Sequence, residues 1–471
     1  MKELTAKQKS ILIAKKEKEF NKYAKKQLKP VIGRYLIVLL IMVALNFCID
    51  IFGSNIHDVM KADALNNLLS GVSKEKGFQL YENIVLIFSA VVMIALPFYK
   101  SLTDKYGRKP FLIINTLITA VGMGIMMLAK NIYIYIIGFV FSTIGYQGDV
   151  HQIYILETSP KHLRARLASA TKAFSILASS LIGVFKLLFQ TETVPESWRY
   201  VFIIPVVSGL IVAILSCFLT EETEEFVNNR KKALAQEIQI LKGEEIEKDE
   251  NSSRLSFKET ITYIFAHRQT LMLFIAACFF CGAMAFTKPY SLIISESNNA
   301  DAIAVVTIIY PFIEGAFSII GGFISDKLGR KVTILFNGSL FIVAYTIFIF
   351  GTKYNLPIAF LGILYGFVTG GYWAGRDTLG TTMTSESVPT KSRATIVGIF
   401  TLITGTTSAI TGAIFSNIPA LLNVDLSYTF MIGCDILMIL SLLFVAKGVH
   451  ETKGVDLEKV TGNEYDSLKK E

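Results

Sequence analysis

The sequence predicts an all-α membrane protein: twelve transmembrane helices arranged as two pseudo-symmetric six-helix bundles. Three observations carry that expectation. Hydrophobic residues make up 52% of the 471 positions, charged residues only 18%, and mean hydropathy is +0.50, a balance from which no soluble surface can be built. A short charged turn, Asp104-Lys-Tyr-Gly-Arg-Lys109, lies between two long apolar segments and returns as Asp326-Lys-Leu-Gly-Arg-Lys331. A second pattern, Glu157-x-x-Pro160-x-x-x-Arg164, returns as Glu386-x-x-Pro389-x-x-x-Arg393. Both pairs share an offset of about 220 to 230 residues, the mark of an internal duplication.

A hydrocarbon core about 30 Å thick takes about 20 apolar residues per helix. That ruler gives spans at 35–54, 82–100, 111–129, 132–156, 166–188 and 199–219, then at 269–287, 302–323, 332–351, 357–383, 394–416 and 426–447. The domain organisation follows: a basic N-terminal tail 1–34, a first bundle 35–219, a linker 220–268, a second bundle 269–447 and a C-terminal tail 448–471. The tail places Ile11, Leu12, Ile13, Phe20, Tyr23 and Leu28 among lysines; it reads either as an amphipathic helix on anionic lipid or as a solvated segment. No cleavable signal peptide is evident, because the first apolar run starts near Tyr35 and is long enough to remain an anchor. The linker is mixed in charge, with a helical run near Ala233 to Leu241. Gly398, Gly405 and Gly412 recur every seven residues, and Gly371-x-x-x-Gly375 adds another small-residue face; both predict close helix contacts.

The formal net charge of +8 is topological rather than a signal of nucleic acid. Lys and Arg concentrate in the N-terminal tail, at 105–109, 161–166, 327–331 and 391–393, in the linker and in the C-terminal tail, which predicts both termini on the cytoplasmic side of a cell membrane, with anionic lipid near the basic loops. The loop from Asn55 to Glu82 is the longest external one and carries Lys61, Lys74 and Lys76. Cys48, Cys217, Cys278, Cys281 and Cys434 all fall in apolar segments, so neither a disulfide framework nor a metal site is expected. Cys278-Phe-Phe-Cys281 reads as small apolar side chains in a helix. No phosphate-binding Gly-x-x-x-x-Gly-Lys-Ser/Thr loop occurs, which argues against ATP-driven work. No cofactor and no enzymatic activity is expected, and the chain is expected to be a monomer.

These motifs resemble the major facilitator superfamily, whose loop between helices two and three has the form Gly-x-x-x-Asp-basic-x-Gly-basic-basic. Gly322-Phe-Ile-Ser-Asp326-Lys-Leu-Gly329-Arg330-Lys331 matches in full, whereas Lys100 replaces the leading glycine of the first copy. The two Glu-x-x-Pro-x-x-x-Arg turns, Trp198-Arg199 and Glu451-Thr-Lys-Gly454 narrow the likeness to sugar porters. The resemblance implies secondary transport by alternating access. It also implies a cytoplasmic gate of two cross-bundle clusters: Asp104, Arg108, Glu386 and Arg393 in one, Asp326, Arg330, Glu157 and Arg164 in the other. Asp50 stands where proton-coupled sugar porters carry an Asp in helix one, and the resemblance implies proton coupling through it. The family's partner Arg in helix four is missing, with Tyr133 or Tyr135 nearby.

Charges inside apolar helices cost about 2.5 to 3.5 kcal/mol each on insertion scales and therefore line wet cavities or pair. At 1.5 Å per residue, Asp149 lies about 12 Å from the Glu157 turn, Lys172 about 12 Å from Arg164, Asp377 about 13 Å from Glu386 and Glu314 about 18 Å from Asp326. Arg376 and His151 fall near the same level, and Asp50 sits higher, about 22 Å from Tyr35. In span five, Lys172, Ser175, Ser179 and Lys186 form one stripe, expected to line the cavity. Where sugar porters read hydroxyls with neutral side chains, this chain has Lys172, Cys278-Phe279 and Arg376-Asp377-Thr378. The expectation is a small polar organic solute carrying an anionic group, such as a sugar acid or carboxylate, held by Lys172 and Arg376 and balanced by Asp149, Glu314 and Asp377 when empty. Lys288 is expected to snorkel, and Asp435 has no assigned role. A neutral-sugar:proton symporter, a proton-driven exporter and a non-transporting receptor remain open at this stage.

Overall fold

The computed structural model describes residues 6–25, 33–148, 150–159, 164–191, 193–242, 257–295, 301–388 and 390–454. Asp149 lies outside the described residues, as do the side chains of Asp104, Arg164 and Arg393 and both ends of the chain. The first half comprises α1 (Ala6–Ala24), α2 (Gly33–Leu68), α3 (Lys74–Tyr106), α4 (Arg108–Leu128), α5 (Ile132–Tyr146), α6 (Val150–Thr158), α7 (Arg164–Ala178), α8 (Ser180–Phe189) and α9 (Ile203–Leu219), followed by the connecting helices α10 (Glu224–Lys242) and α11 (Phe257–Ala266). The second half comprises α12 (Arg268–Thr287), α13 (Tyr290–Ile294), α14 (Ala302–Leu328), α15 (Arg330–Lys353), α16 (Ile358–Asp377), α17 (Thr384–Glu386), α18 (Thr390–Leu422) and α19 (Leu426–Gly448). A 3-10 turn, Ser197–Phe202, leads into α9, and a π-helical stretch, Thr378–Met383, follows α16.

Among the described residues, eleven helical segments are long and apolar enough to cross a bilayer. The fourth span is divided into α5 and α6 around residues 147–149. Large apolar side chains such as Ile87, Phe98, Phe218 and Phe323 stay exposed on the outer faces, the surface that lipid covers. Start signals are local: Ser73, Asn131 and Asp425 accept the N–H of Lys76, Ile134 and Tyr428. Stop signals are equally local. Gly107 and Gly329 adopt φ of +117° and +108°, a conformation that ends α3 and α14 and starts α4 and α15 at a sharp corner.

The long external loop expected from Asn55 to Glu82 is instead mostly helix. α2 continues for 36 residues, about 54 Å of rise, because Ile56, Val59, Met60 and Leu65 beyond the span are buried and Lys61 pairs with Asp58 and Glu82 at 3.6 and 3.3 Å. The two halves meet where α3 packs on α18, α7 and α8 on α14, and α13 on α2. Two glycine expectations separate here. A side chain at Gly371 or Gly375 would meet the Asn337 carbonyl at 3.0 Å or the Phe280 ring at 2.6 Å, whereas one at Gly398 would meet nothing within 4 Å. The seven-residue glycine seam of α18 is therefore not a tight backbone contact along its length.

α1 has a helical partner on one side, while Ile11 stays exposed. It packs on α10: Tyr23 meets Phe226 edge-on at 6.1 Å, and Lys16–Glu237, Glu19–Arg230 and Glu17–Lys242 pair at 2.5, 2.7 and 2.9 Å. The linker helix near Ala233 to Leu241 is present and longer than expected. One end of the molecule thus carries α1, α10, Arg108 and Arg330, and is called the basic face; the opposite end, with Leu68 and Lys74, is the distal face.

Candidate functional site

Between the halves, Lys172 of α7 reaches Asp377 at the end of α16, Nζ to Oδ2 2.7 Å. Arg376 reaches the other oxygen of the same carboxylate at 3.3 Å and lies over the Trp373 ring at 5.3 Å. Lys172 and Asp377 keep 38% and 37% of their side-chain surface accessible, so water reaches the pair. Glu314 of α14 is buried beside Thr369, within the field of Lys172 and Asp377. Four of the five residues expected to hold solute therefore form one group; Asp149 is the one not described. The group holds two cations and two carboxylates.

The rest of the span-five stripe behaves differently. Ser179 and Ser180 donate back to the carbonyls of Ile176 and Leu177, the helix breaks between α7 and α8, and its register shifts. Ser175 is buried and accepts from Cys48 of α2, while Lys186 pairs with Asp63 at 2.6 Å. Only Lys172 of that stripe belongs to the open charged group.

Asp50 is buried in α2, and its partner is His151 of α6, with Oδ2 and Nδ1 2.8 Å apart. That is an ion-pair separation, although the two atoms are not aligned for a hydrogen bond. Phe47 stacks on the imidazole at 3.9 Å. Neither tyrosine near the start of the fourth span supplies the partner: Tyr135 contacts His57 instead, at 3.1 Å. Counted along straight helices, Asp50 sits higher than His151; in the structure the packing of α2 on α6 brings the two together.

Among the described residues of the basic face, Arg108 and Arg330 pair with carboxylates of their own halves. Arg108 Nε lies 3.1 Å from Glu157, and Arg330 lies 3.0 Å from Glu386 and 2.9 Å from Asp326. Glu157 and Glu386 end the helices beside their own α4 and α15, so each Arg finds the nearer carboxylate. Among the described residues, the expected pairings of Arg108 with Glu386 and of Arg330 with Glu157 are replaced by these; the side chains of Asp104, Arg164 and Arg393, the other members of the two expected clusters, lie outside the described residues. Two further residues complete each corner. Glu222 accepts the N–H of Arg108 at 2.9 Å, and Thr223 donates to Glu157 at 2.5 Å. Glu451 accepts the N–H of Arg330 and Lys331 at 2.8 and 3.0 Å, and Thr452 donates to Glu386 at 2.6 Å. The sequence reading noted Glu451 but missed Glu222-Thr223; the Glu-Thr pair recurs at the same offset as the other motifs. Lys100 is also explained, because a side chain at its counterpart Gly322 meets nothing within 4 Å.

At the distal face, hydrogen bonds do cross between halves. Asn55 donates to Tyr310 at 3.3 Å, Gln79 to Asn417 at 2.5 Å, and Ser291 to the Asp58 carbonyl at 2.6 Å. Lys288 caps α12 within the field of Asp58. Asp435 of α19 accepts from Thr346 of α15 at 2.9 Å, away from the central group.

The Major Facilitator Superfamily profile matches residues 43–412 and, again, 273–462. The chain belongs to this superfamily. It is therefore a multi-pass membrane protein of a family of transporters, and its relatives are sugar-porter-like. It is 25% identical over 384 residues to the arabinose-proton symporter of Bacillus subtilis, covering 76% of this chain and 81% of the relative. It is 23% identical over 394 residues to the D-xylose-proton symporter-like 2 of Arabidopsis thaliana, covering 76% and 77%. The partially occluded inward-open xylose transporter XylE from E. coli superposes with a TM-score of 0.65 at 15% identity, over 90% of this chain and all of that one. XylE bound to 6-bromo-6-deoxy-D-glucose gives 0.60 at 16% identity, over 92% and 99%.

Proposed function

We propose that this chain is a proton-coupled symporter of a neutral sugar or polyol, working by alternating access in a cell membrane with both termini cytoplasmic. The observation that carries the reading is the charge balance at Lys172, Arg376, Asp377 and Glu314. Each cation expected to hold an anion faces a carboxylate of this chain, so an incoming anion would have to displace one. A polyhydroxylated solute needs no displacement: it can share donors and acceptors with the group. The names of the relatives, arabinose- and xylose-proton symporters, support the same solute class. Cross-half bonds at the distal face, with Arg108 and Arg330 paired inside their own halves among the described residues, support an inward-facing state. In it, Arg108–Glu157 and Arg330–Glu386 serve as staples that keep each bundle rigid while the bundles rock, and Asp50 takes up the coupled proton.

The test is uptake by the purified chain in proteoliposomes under an inward proton gradient, comparing xylose, arabinose, glucose and inositol with gluconate and glucuronate. Accumulation of a neutral solute, abolished by a protonophore, is expected. Accumulation of a sugar acid with neutral solutes inert would replace this reading with the anionic one.

A further inference from the structure

We propose that His151 is the second member of a proton-carrying pair with Asp50, so that carboxylate and imidazole together hold the proton moved with the solute. The proposal deepens the symport reading and rests on it. The pair bridges α2 and α6, its atoms lie 2.8 Å apart, and both side chains are almost wholly buried. Phe47 fixes the ring plane, and Nε2 is buried with no hydrogen-bond partner among the described residues. Nothing on the far side of the ring therefore fixes its tautomer. Tyr99 of α3, whose hydroxyl donates to Asn115 of α4, and Cys48 of α2, bonded to Ser175 of α7, are the other titratable side chains in the field of Asp50 among the described residues.

The proton balance is simple. With one proton between them, the pair is an imidazolium beside a carboxylate, with no net charge. A proton arriving from the distal side forms an O–H bond on Asp50, leaves the pair with one positive charge and removes the attraction tying α2 to α6. Breaking that O–H bond and releasing the proton to the basic face restores the ion pair.

The test uses the full chain in proteoliposomes, with one solute it accumulates. His151→Gln should bring the solute only to equilibrium, while exchange of labelled for unlabelled solute, which needs no net proton movement, continues and shows that the protein is folded. His151→Arg should retain accumulation, since a guanidinium supplies a positive charge beside Asp50. If Asp50→Asn still accumulates solute, the symport reading itself fails. If Asp50→Asn is uncoupled but His151→Gln accumulates solute as the parent does, the pair is only structural and this inference alone is overturned.

Discussion

The Lys172 ammonium lies 2.7 Å from the Asp377 carboxylate, joining α7 of one half to α16 of the other, and Arg376 holds the second oxygen of that carboxylate at 3.3 Å. The two single neutralisations are therefore unequal. Lys172→Met leaves Asp377 with Arg376; Asp377→Asn leaves two cations facing Glu314 alone. Because the pair is more than a third accessible, the unpaired charge is partly screened, and the loss in neutral-solute affinity should be about 1 to 2 kcal/mol for Asp377→Asn, roughly five- to thirty-fold, and smaller for Lys172→Met. Asp377→Asn should also gain measurable affinity for sugar acids. Ligand-induced thermal shifts on the purified variants measure both; equal losses, or no gain of anion binding, would contradict the charge-balance argument.

Gly329→Ala should destabilise the protein by about 1 to 3 kcal/mol. Its φ of +108° disfavours any side chain, and a Cβ would stand 2.6 Å from a Glu451 oxygen. Gly107→Ala, with φ of +117° and Glu222 in the same place, should behave alike. Gly322→Ala is the control, with nothing within 4 Å of the added atom, and should melt like the parent. A melting curve of Gly322→Ala as low as that of Gly329→Ala would show that the corner geometry is not the cause.

How far the sequence could be read depended on whether each signal was periodic or three-dimensional. The repeated Asp-x-x-Gly-Arg-Lys turn, the apolar spans and the Lys and Arg bias are one-dimensional, and they lead directly to two packed bundles. Lys172, Arg376, Asp377 and Glu314 were legible as a group because buried charge in a membrane must find partners. Which carboxylate each arginine takes was not, since the Glu-x-x-Pro turns place Glu157 and Glu386 at the same face and only the packing of α6 and α17 shows which of them lies beside α4 and which beside α15. Asp50 and His151 escaped for a similar reason: depth counted in residues along separate straight helices does not say which side chains meet, and only the packing of α2 on α6 does. The docking of α1 on α10 was illegible because the charges that make it, Lys16, Glu17 and Glu19 with Glu237, Lys242 and Arg230, lie more than 200 residues apart and carry no local pattern.

Glu451 gives a pH prediction with a fixed sign. Burial pushes its carboxyl up, but the N–H groups of Arg330, Lys331, Lys453 and Thr452 outweigh that, and the net shift is downward. A carboxyl whose folded value lies below its unfolded value of about 4.3 stabilises the fold fully above that unfolded value. The contribution is then lost as pH falls through the depressed folded value. Thermal stability of the parent should therefore exceed that of Glu451→Gln at neutral pH, and the gap should narrow on acidification below the ordinary carboxylate range. Melting temperatures in detergent from neutral to acid pH measure the gap; a constant difference would mean that the four N–H contacts do not depend on the charge.

Asn417 of α18 shares hydrogen bonds with Gln79 and Asn83 of α3: it accepts from them at 2.5 and 3.3 Å and donates to Asn83 at 3.0 Å. These bonds cross the halves at the distal face, where Ser291 is buried against the Asp58 carbonyl. Partly exposed amide bonds are each worth about 0.5 kcal/mol, so Asn417→Leu should move the distal open-to-closed ratio by roughly tenfold. The reporter is the maleimide labelling rate of Ser291→Cys in a background without the native cysteines, with and without Asn417→Leu. Because both proteins carry the same reporter, its own lost bond cancels. A rate rising by about that factor supports a distal closure held by α3 and α18, since closure free energy and accessible population are linked directly; an unchanged rate would place the closure elsewhere, at α13 and α2.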